Sequence, residues 1–436
     1  MQTNQQSDMR TFITIWLGQL VSTLGSGLTG WGLGVLVYQR TNSTTLFVIN
    51  LVCYILPTVL FAPLAGVVAD RKDRRWVLIV ADVGAGIGTL TILLALQLGT
   101  LEIWHVYLVT SIAATANTFQ WPAYGAATTM LVPKEQLGRA GGMNQIGEAL
   151  SQLVTPVIAG TLYVSVGMKS IVMIDLATLL VAIGTLLICR IPTPVNTSTA
   201  DHKKGSIWGE MSFGWRYIVA RPGLLGLLIY FAIGNFFASI PYALFTPMML
   251  DMTTPDRLGY VGSIGGMGML AGTLVMSAWG GLRHQRVVSI LVADMIGALA
   301  TMMIGFKPWV PLIAIGMFIV LFTLPVGNGN SQALWQSKVA PDVQGRVFSI
   351  RRMIASSITP ASYLVAGSLA ENVFEPLLLE GGKLASSFGA VMGSGPGRGT
   401  GLLFMMGGLL WGVAALVTLF HPRVRRLEIE IPDAID

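Results

Sequence analysis

The sequence predicts an all-α membrane protein of twelve spanning helices in two pseudo-symmetric six-helix halves, and three observations carry that prediction. The 436-residue chain is 53% hydrophobic and only 11% charged, where soluble domains carry roughly 25% charge. Apolar runs of about 20 residues recur along it, each able to cross a hydrocarbon slab with its backbone satisfied as helix. Stretches of the first half also return in the second at a nearly constant interval. The alternating polarity of a membrane β-barrel is absent.

In chain order the expected spans are 12–38, 46–69, 76–97, 103–131, 140–166, 170–190, 223–250, 258–282, 287–306, 309–335, 347–371 and 401–420. The opening MQTNQQSDMR is polar with one Arg, and the first apolar run is too long for a signal-peptide core and lacks a cleavage pattern. That span is therefore expected in the mature protein. The short basic loop 71–75 separates the second and third spans, and 134–139 precedes the fifth. Residues 191–222 are polar and Pro/Thr/Ser-rich before they turn amphipathic. Trp208, Met211, Trp215 and Ile218 fall on one helical stripe there, which suits a helix lying on the membrane surface. Residues 372–400, with GSGPGRGTG, read as a flexible connector, since no strand precedes the glycines as a phosphate loop would require. The expected organisation is a first half 1–190, a linker 191–222 with an interfacial helix, a second half 223–420 and a tail 421–436.

Charge sets the orientation. With twelve spans, one set of loops and both termini holds 21 of the 27 Lys and Arg. The other set holds the remaining six, Arg40, Lys169, Arg257, Lys307, Lys383 and Arg398. The positive-inside rule then places both termini in the cytoplasm, the only bases within the span bounds being Arg190, Arg351 and Arg352 near span ends. The net charge of +6 is explained by loops that face anionic lipid, and a nucleic-acid partner is not called for. Cys53 and Cys189 form no CxxC pair and read as packing residues.

The repeat is explicit. RRWVLIVAD ends at Asp82 and RVVSILVAD ends at Asp294, 212 residues later, each with an Arg eight residues before the Asp. Gly138-Arg139 and Gly345-Arg346 lie 207 apart, and Gly160 and Gly367 follow at the same interval. The third and ninth spans correspond, as do the fifth and eleventh, so the halves run in parallel order.

On these residues the chain resembles the major facilitator superfamily. Gly66-Val-Val-Ala-Asp70-Arg71-Lys72-Asp73-Arg74-Arg75 is similar to that family's loop G-x-x-x-D-R/K-x-G-R-R/K, departing at Asp73, where the family has Gly. LGQLVSTLGSGLT, MIDLATLL and QSKVAPDVQGRVFSIRRMIA resemble the branch containing enterobactin and macrolide exporters. The last stretch is also similar to transporters that accompany nonribosomal-peptide biosynthesis. Thr155-Pro156-Val-Ile-Ala159-Gly160 resembles the antiporter motif G-P-x-x-G-G with two small positions altered. The resemblance implies the major facilitator fold, alternating access, and a gating role for the loop that stabilises the outward-open state. Asp70 would be held beside Arg71 and Arg74 and face the start of the eleventh helix near Arg346, and Asp82 joins this gating set.

Apart from Glu371 at the very edge of its span, four acids lie within the spans: Asp82, Glu148, Asp175 and Asp294. A charge at a helix centre costs about 2.5 to 3.5 kcal/mol on insertion scales, so each needs a partner, a wet cavity or a proton. Asp82 and Asp294 read as structural partners of the arginines two turns before them, and Asp175 as an acid that snorkels from near the outer end of its helix. Glu148 has Asn144 and Gln152 on the same helical face and no in-span base, so it is the proton-coupling candidate if it faces a cavity, or a Glu reaching interfacial water if it does not. Gln19, Ser22, Gln120, Tyr124, Asn235, Asn328, Gln332 and Tyr363 are the candidates for hydrogen bonds to cargo, with Trp31, Trp121, Phe236 and plentiful Met available to line an apolar cavity. The glycines of 25–27, 84–88 and 262–272 allow close helix approach.

No G-x-x-x-x-G-K-S/T occurs and no H-E-x-x-H, which argues against ATP drive and a zinc site, and no nucleophile elbow points to an enzyme. No cofactor is called for. The leading expectation is a monomeric secondary transporter in the cell membrane, exporting a small amphiphilic compound by proton antiport. Uptake or facilitated diffusion by the same fold, and a receptor that does not transport, are the alternatives.

Overall fold

A computed structural model describes residues 9–133, 136–189, 207–282, 285–340 and 343–433, with backbone alone at 70, 71, 138, 207–211 and 356. Six long helices come first: α1 (Met9–Thr41), α2 (Thr44–Arg71), α3 (Arg74–Leu98), α4 (Ile103–Leu131), α5 (Leu137–Ser165) and α6 (Gly167–Ile188). A shorter α7 (Ile207–Val219) leads into α8 (Pro222–Met252), α9 (Pro255–Trp279), α10 (Arg286–Phe306), α11 (Val310–Lys338) and α12 (Gln344–Leu369). After α13 (Glu375–Leu378) and α14 (Phe388–Met392) come the long α15 (Arg398–Phe420) and two short helices, α16 (Pro422–Arg425) and α17 (Leu427–Glu430). The twelve expected spans each fall on one long helix. Among the described residues ten of these are long and apolar enough to cross a membrane. The exceptions, α4 and α5, carry polar runs such as Thr115, Asn117, Thr118 and Gln120, or Asn144, Gln145, Glu148 and Gln152.

The helices cluster into two compact units. The first comprises α1–α6 with residues 254–263, and the second comprises α7, α8, the rest of α9 and α10–α17. Helix pairing within the two follows one plan: α3 packs on α4 and α6 as α10 packs on α11 and α15, and α1 packs on α5 and α6 as α8 packs on α12 and α15. The internal repeat is therefore a repeat of packing. Each unit has its own apolar core, with Phe12, Leu78 and Leu186 in one and Leu227, Ile290 and Trp335 in the other, all almost fully buried.

Asp73, where a glycine was anticipated, needs no glycine conformation. Its φ is −61° and its carboxylate accepts from Arg75 N at 2.9 Å, so it caps the N-terminus of α3 and satisfies a donor the helix leaves open. The α7 stripe divides: Ile218 is buried in the core of the second unit, whereas Trp215 is exposed. Gly214 lets α7 lie against α12, because a Cβ there would sit 2.6 Å from the carbonyl oxygen of Arg346. The linker 191–206 lies outside the described residues, as do the side chains of Trp208 and Met211.

Two expectations are corrected. The segment after α12 is not a loose connector: a π-helical turn (Ala370–Phe374) continues α12, and Glu375 Oε1 accepts from Thr400 N at 3.0 Å and Thr400 Oγ1 at 2.8 Å, capping α15. Arg398 is not a loop base, since it opens α15 at 2% exposure and donates to the carbonyls of Gly305 and Phe306 at 2.8 and 3.1 Å. Its guanidinium closes the C-terminal end of α10, where carbonyls lack helical partners.

The chain's end is docked as far as Asp433. Lys338, at the end of α11, donates to Glu428 O at 2.8 Å and Ile431 O at 2.6 Å and pairs with Asp433 Oδ1 at 3.0 Å. Glu428 Oε1 accepts from Val287 N at 2.8 Å, capping the start of α10, while Val424 and Leu427 are buried. Replacing Lys338 by Met removes a buried cation's bonds, and the expected loss is about 2 kcal/mol. Earlier thermal unfolding of the detergent-solubilised variant would register it, and an unchanged transition would show that this clasp adds no stability.

Candidate functional site

Asp82 sits two turns into α3 and is 3% exposed. Among the described residues no Lys or Arg pairs with it, which corrects the expectation of an arginine partner. Its partners are two amides. Gln19 Nε2 of α1 donates to Oδ2 at 3.1 Å, and Gln120 Nε2 of α4 donates to Oδ1 at 2.8 Å. Gln120 Nε2 also donates to Gln19 Oε1 at 2.8 Å, which closes a three-membered network joining α1, α3 and α4. Gln19 is buried within it and Gln120 half-buried, so two residues expected to meet cargo are engaged with a carboxylate. One turn along α4, Tyr124 donates to Asn144 Oδ1 of α5 at 3.3 Å.

Asp175 does not snorkel. It is 3% exposed in α6 and accepts from Ser26 Oγ of α1 at 2.9 Å and Thr89 Oγ1 of α3 at 3.2 Å. Close approach makes this possible: a Cβ on Gly25 would collide with Thr178 and stand 3.2 Å from the Asp175 Cα. The first unit thus holds two buried acids, both partnered by neutral groups.

The second unit repeats the arrangement at Asp294. Tyr230 of α8 donates its hydroxyl to Asp294 Oδ2, and Trp411 of α15 bonds to Tyr230 in turn. Arg286, expected as the partner of Asp294, instead donates to Ala333 O at 3.0 Å and Ser337 Oγ at 3.2 Å. Tyr230 was not anticipated, yet a signal existed: it lies 211 residues after Gln19, nearly the interval that relates Asp294 to Asp82. The pairing of an in-span acid, buried at Asp82 and half-buried at Asp294, with a side chain on the first long helix of its half is thus common to both halves.

The other sequence candidates are scattered. Ser22 is buried in α1. Asn235 Nδ2 donates to Ala355 O at 3.3 Å. Tyr363 is buried and stacks on Tyr242 with centroids 6.4 Å apart. Asn328 and Gln332 are exposed on α11, Gln332 accepting from Arg351 at 3.3 Å. Glu148 and Gln152 are exposed on α5, with Asn144 half-buried. Of the gating set, the side chains of Asp70 and Arg71 lie outside the described residues. Arg74 has Nε and Nη1 buried without a hydrogen-bond partner among the described residues, and Arg346 lies over the Phe213 ring at 4.5 Å.

The Thr155-Pro156-Val-Ile-Ala159-Gly160 stretch packs against the first turns of α9 within the first unit. A Cβ on Gly160 would stand 2.6 Å from Pro255 O, and one on Gly259 would collide with Pro156 O. Ser263 Oγ donates to Leu153 O at 2.5 Å on the same face. Proline frees a carbonyl of α5, and glycine lets a neighbouring backbone come close.

Comparison with known proteins gives this geometry a family. The model of the Major Facilitator Superfamily matches residues 15–362. Macrolide efflux protein A of Streptococcus pyogenes is 28% identical over 375 residues, covering 83% of this chain and 90% of that protein. Multidrug efflux pump Tap of Mycobacterium bovis (strain BCG / Pasteur 1173P2) is 26% identical over 369 residues, covering 82% and 86%. Among solved structures, an inward-facing bacterial homolog of the human lysosomal transporter Spinster matches with a TM-score of 0.68 at 13% identity over 96% of this chain and 99% of that one. A D-xylose-proton symporter matches with a TM-score of 0.64 at 13% identity over 97% and 99%. At such identities the structural matches speak for the fold alone.

The α5–α9 contact gives a test. Gly259→Ala forces a methyl into the Pro156 carbonyl, and overpacking of this kind costs about 1 to 3 kcal/mol. The expected result is a lower unfolding temperature and slower transport, whereas the same change at Gly84, which has open space around its Cβ position, leaves both unchanged.

Proposed function

The chain belongs to the major facilitator superfamily, and from that premise we propose that it exports a small amphiphilic compound across the bacterial cell membrane by proton antiport and alternating access. It is a multi-pass membrane transporter, not an enzyme. The observation that carries export is the resemblance over more than four-fifths of the chain to proteins named for macrolide and multidrug efflux. Buried acids partnered by neutral groups support the coupling to protons, because a carboxyl without a fixed cation can gain and lose a proton at modest electrostatic penalty. In this reading the working unit is a monomer with both termini in the cytoplasm, and the distribution of basic loops supports that orientation.

The two-unit build supports alternating access. The halves rock about the cargo, and the loop from Gly66 to Arg75 latches them in the outward-open state through Asp70, Arg71, Arg74 and Arg346. Glu148, exposed on α5, exchanges protons with water. Flux of macrolide, siderophore and lipopeptide probes into proteoliposomes, with and without an imposed pH gradient, tests the reading. Gradient-driven accumulation of one probe is the expected result, and equilibration indifferent to the gradient would make the protein a facilitator.

Two variants probe the residues. Glu148→Gln is expected to lose gradient-driven accumulation while folding normally, and full accumulation would remove Glu148 as an obligatory carrier. Asp70→Asn is expected to shift the population toward inward-open, read as changed distances between spin labels, and unchanged distances would sink the latch.

A further inference from the structure

We infer that Asp82 and Asp294 are a repeat-related pair of exchangeable-proton sites, one in each half, whose neutral partners Gln19, Gln120 and Tyr230 rearrange when the proton binds. The inference rests on the proton-coupled reading above and names the groups that serve it.

Three observations carry it. The two acids occupy equivalent places, 212 residues apart, on helices that pack alike within their units. Each is held by a side chain on the first long helix of its half, Gln19 or Tyr230, themselves 211 residues apart. Neither has a Lys or Arg partner among the described residues, although an arginine stands eight residues before each on the same helix. Of these, Arg286 donates to Ala333 O and Ser337 Oγ, while Arg74 has Nε and Nη1 buried without a hydrogen-bond partner among the described residues and its neighbour Arg75 donates to Leu186 O and Leu187 O at 2.7 and 2.6 Å.

Partner chemistry separates a proton site from a structural ion pair. A guanidinium can only donate, so it holds a carboxylate in its charged form. An amide or a phenol can donate or accept, so it can serve either form. In the present arrangement Gln120 Nε2 serves Asp82 Oδ1 and Gln19 Oε1 together. When a proton from water binds Oδ1, the new O–H needs an acceptor. Turning the Gln120 amide supplies its oxygen, while Gln19 goes on donating to Oδ2. The bond between Gln120 and Gln19, which joins α4 to α1, breaks in that step. Loss of the proton to water restores it. Protonation is thereby coupled to a tie between two helices, and half-buried Gln120 connects the enclosed acid to the surface of its unit. At Asp294 the carboxyl O–H donates to the Tyr230 oxygen while the phenol hydrogen turns away. Gly327 of α11 faces this carboxyl, the position of a Cβ there lying 3.5 Å from Oδ1.

The surroundings contain few competing charges. Around Asp82, α1 and α4 present Gln19 and Gln120, with Tyr124 one turn further along α4 and bonded to Asn144. Helix α6 presents Asp175, which meets α3 at Thr89, about 10 Å along the axis at helical rise. Arg74 and Arg75 stand two turns earlier on α3 itself. Around Asp294, α8 presents Tyr230, α15 presents Trp411, and α11 presents Gly327 and Asn330, the last donating to Ser289 Oγ at 3.1 Å. Arg286 lies two turns earlier on α10, and Lys338 is engaged by the chain's end.

The test uses the full chain in proteoliposomes with the probe that the wild type accumulates. Asp82→Asn and Asp294→Asn are each expected to lose gradient-driven accumulation and keep downhill equilibration, with Asp→Glu restoring part of the accumulation. Gradient-driven accumulation retained by either Asn variant overturns the paired assignment. Should an Asn variant not fold, infrared spectroscopy of the wild type with isotope-labelled aspartate decides, because the pair predicts two aspartic carboxyl bands that appear and vanish as the pH is varied. No titrating aspartate band overturns it. A wild type that moves the probe without regard to the gradient refutes proton coupling itself, an outcome distinct from failure of the two aspartates alone.

Discussion

Everything in this protein answers to one constraint: inside hydrocarbon there is no water to satisfy a polar group, so each must find its partner within the protein. The backbone meets it as helix. Side chains meet it through neighbours brought close by small residues, as where Gly25 gives Asp175 room beside α1. Helix ends meet it with caps supplied from a distance, Arg398 at the end of α10 and Glu428 at its start.

That constraint also explains how charge is distributed. Bases stand at the ends of the apolar stretches, where they reach water, lipid headgroups or open carbonyls. Arg75, Lys338 and Arg398 donate to backbone carbonyls at helix ends, and Arg286 to one within α11. Acids are fewer and lie deeper, and the described residues give Asp82, Asp175 and Asp294 neutral partners. A fixed cation beside each acid would settle its charge permanently. Amides, hydroxyls and a phenol leave it free to change, which is the property a proton-coupled machine requires.

The repeat supplies a second organising principle. Two halves descended to the same helix pairings place an acid at the same point, yet they furnish it with different partners, two amides in one half and a tyrosine backed by a tryptophan in the other. Chemistry has diverged where packing has not. Packing tolerates only matching volume, whereas an acid accepts any donor of suitable reach. The Gly66–Arg75 loop is likewise present in one half only, since Leu282 stands where the interval would place the counterpart of Asp70.

What the sequence determined by itself follows from periodicities set by physics. Twelve apolar runs, their basic loops and the 212-residue interval identify the spans and their order, because the length of a spanning helix is dictated by the bilayer and not by tertiary detail. The tertiary structure alone decided which side chains meet. Gln19 and Gln120 read as free hydrogen-bond groups until α1, α3 and α4 are brought together around Asp82. Arg74 and Arg286 are the expected partners of the acids two turns away, yet neither pairs with its acid: Arg286 reaches a carbonyl of α11, and Arg74 has two nitrogens without a hydrogen-bond partner among the described residues. That outcome is set by the rotation of each helix about its axis. Helix rotation is set by packing of apolar and small residues nearly all round, and in a chain this uniformly hydrophobic no polar stripe declares it in advance.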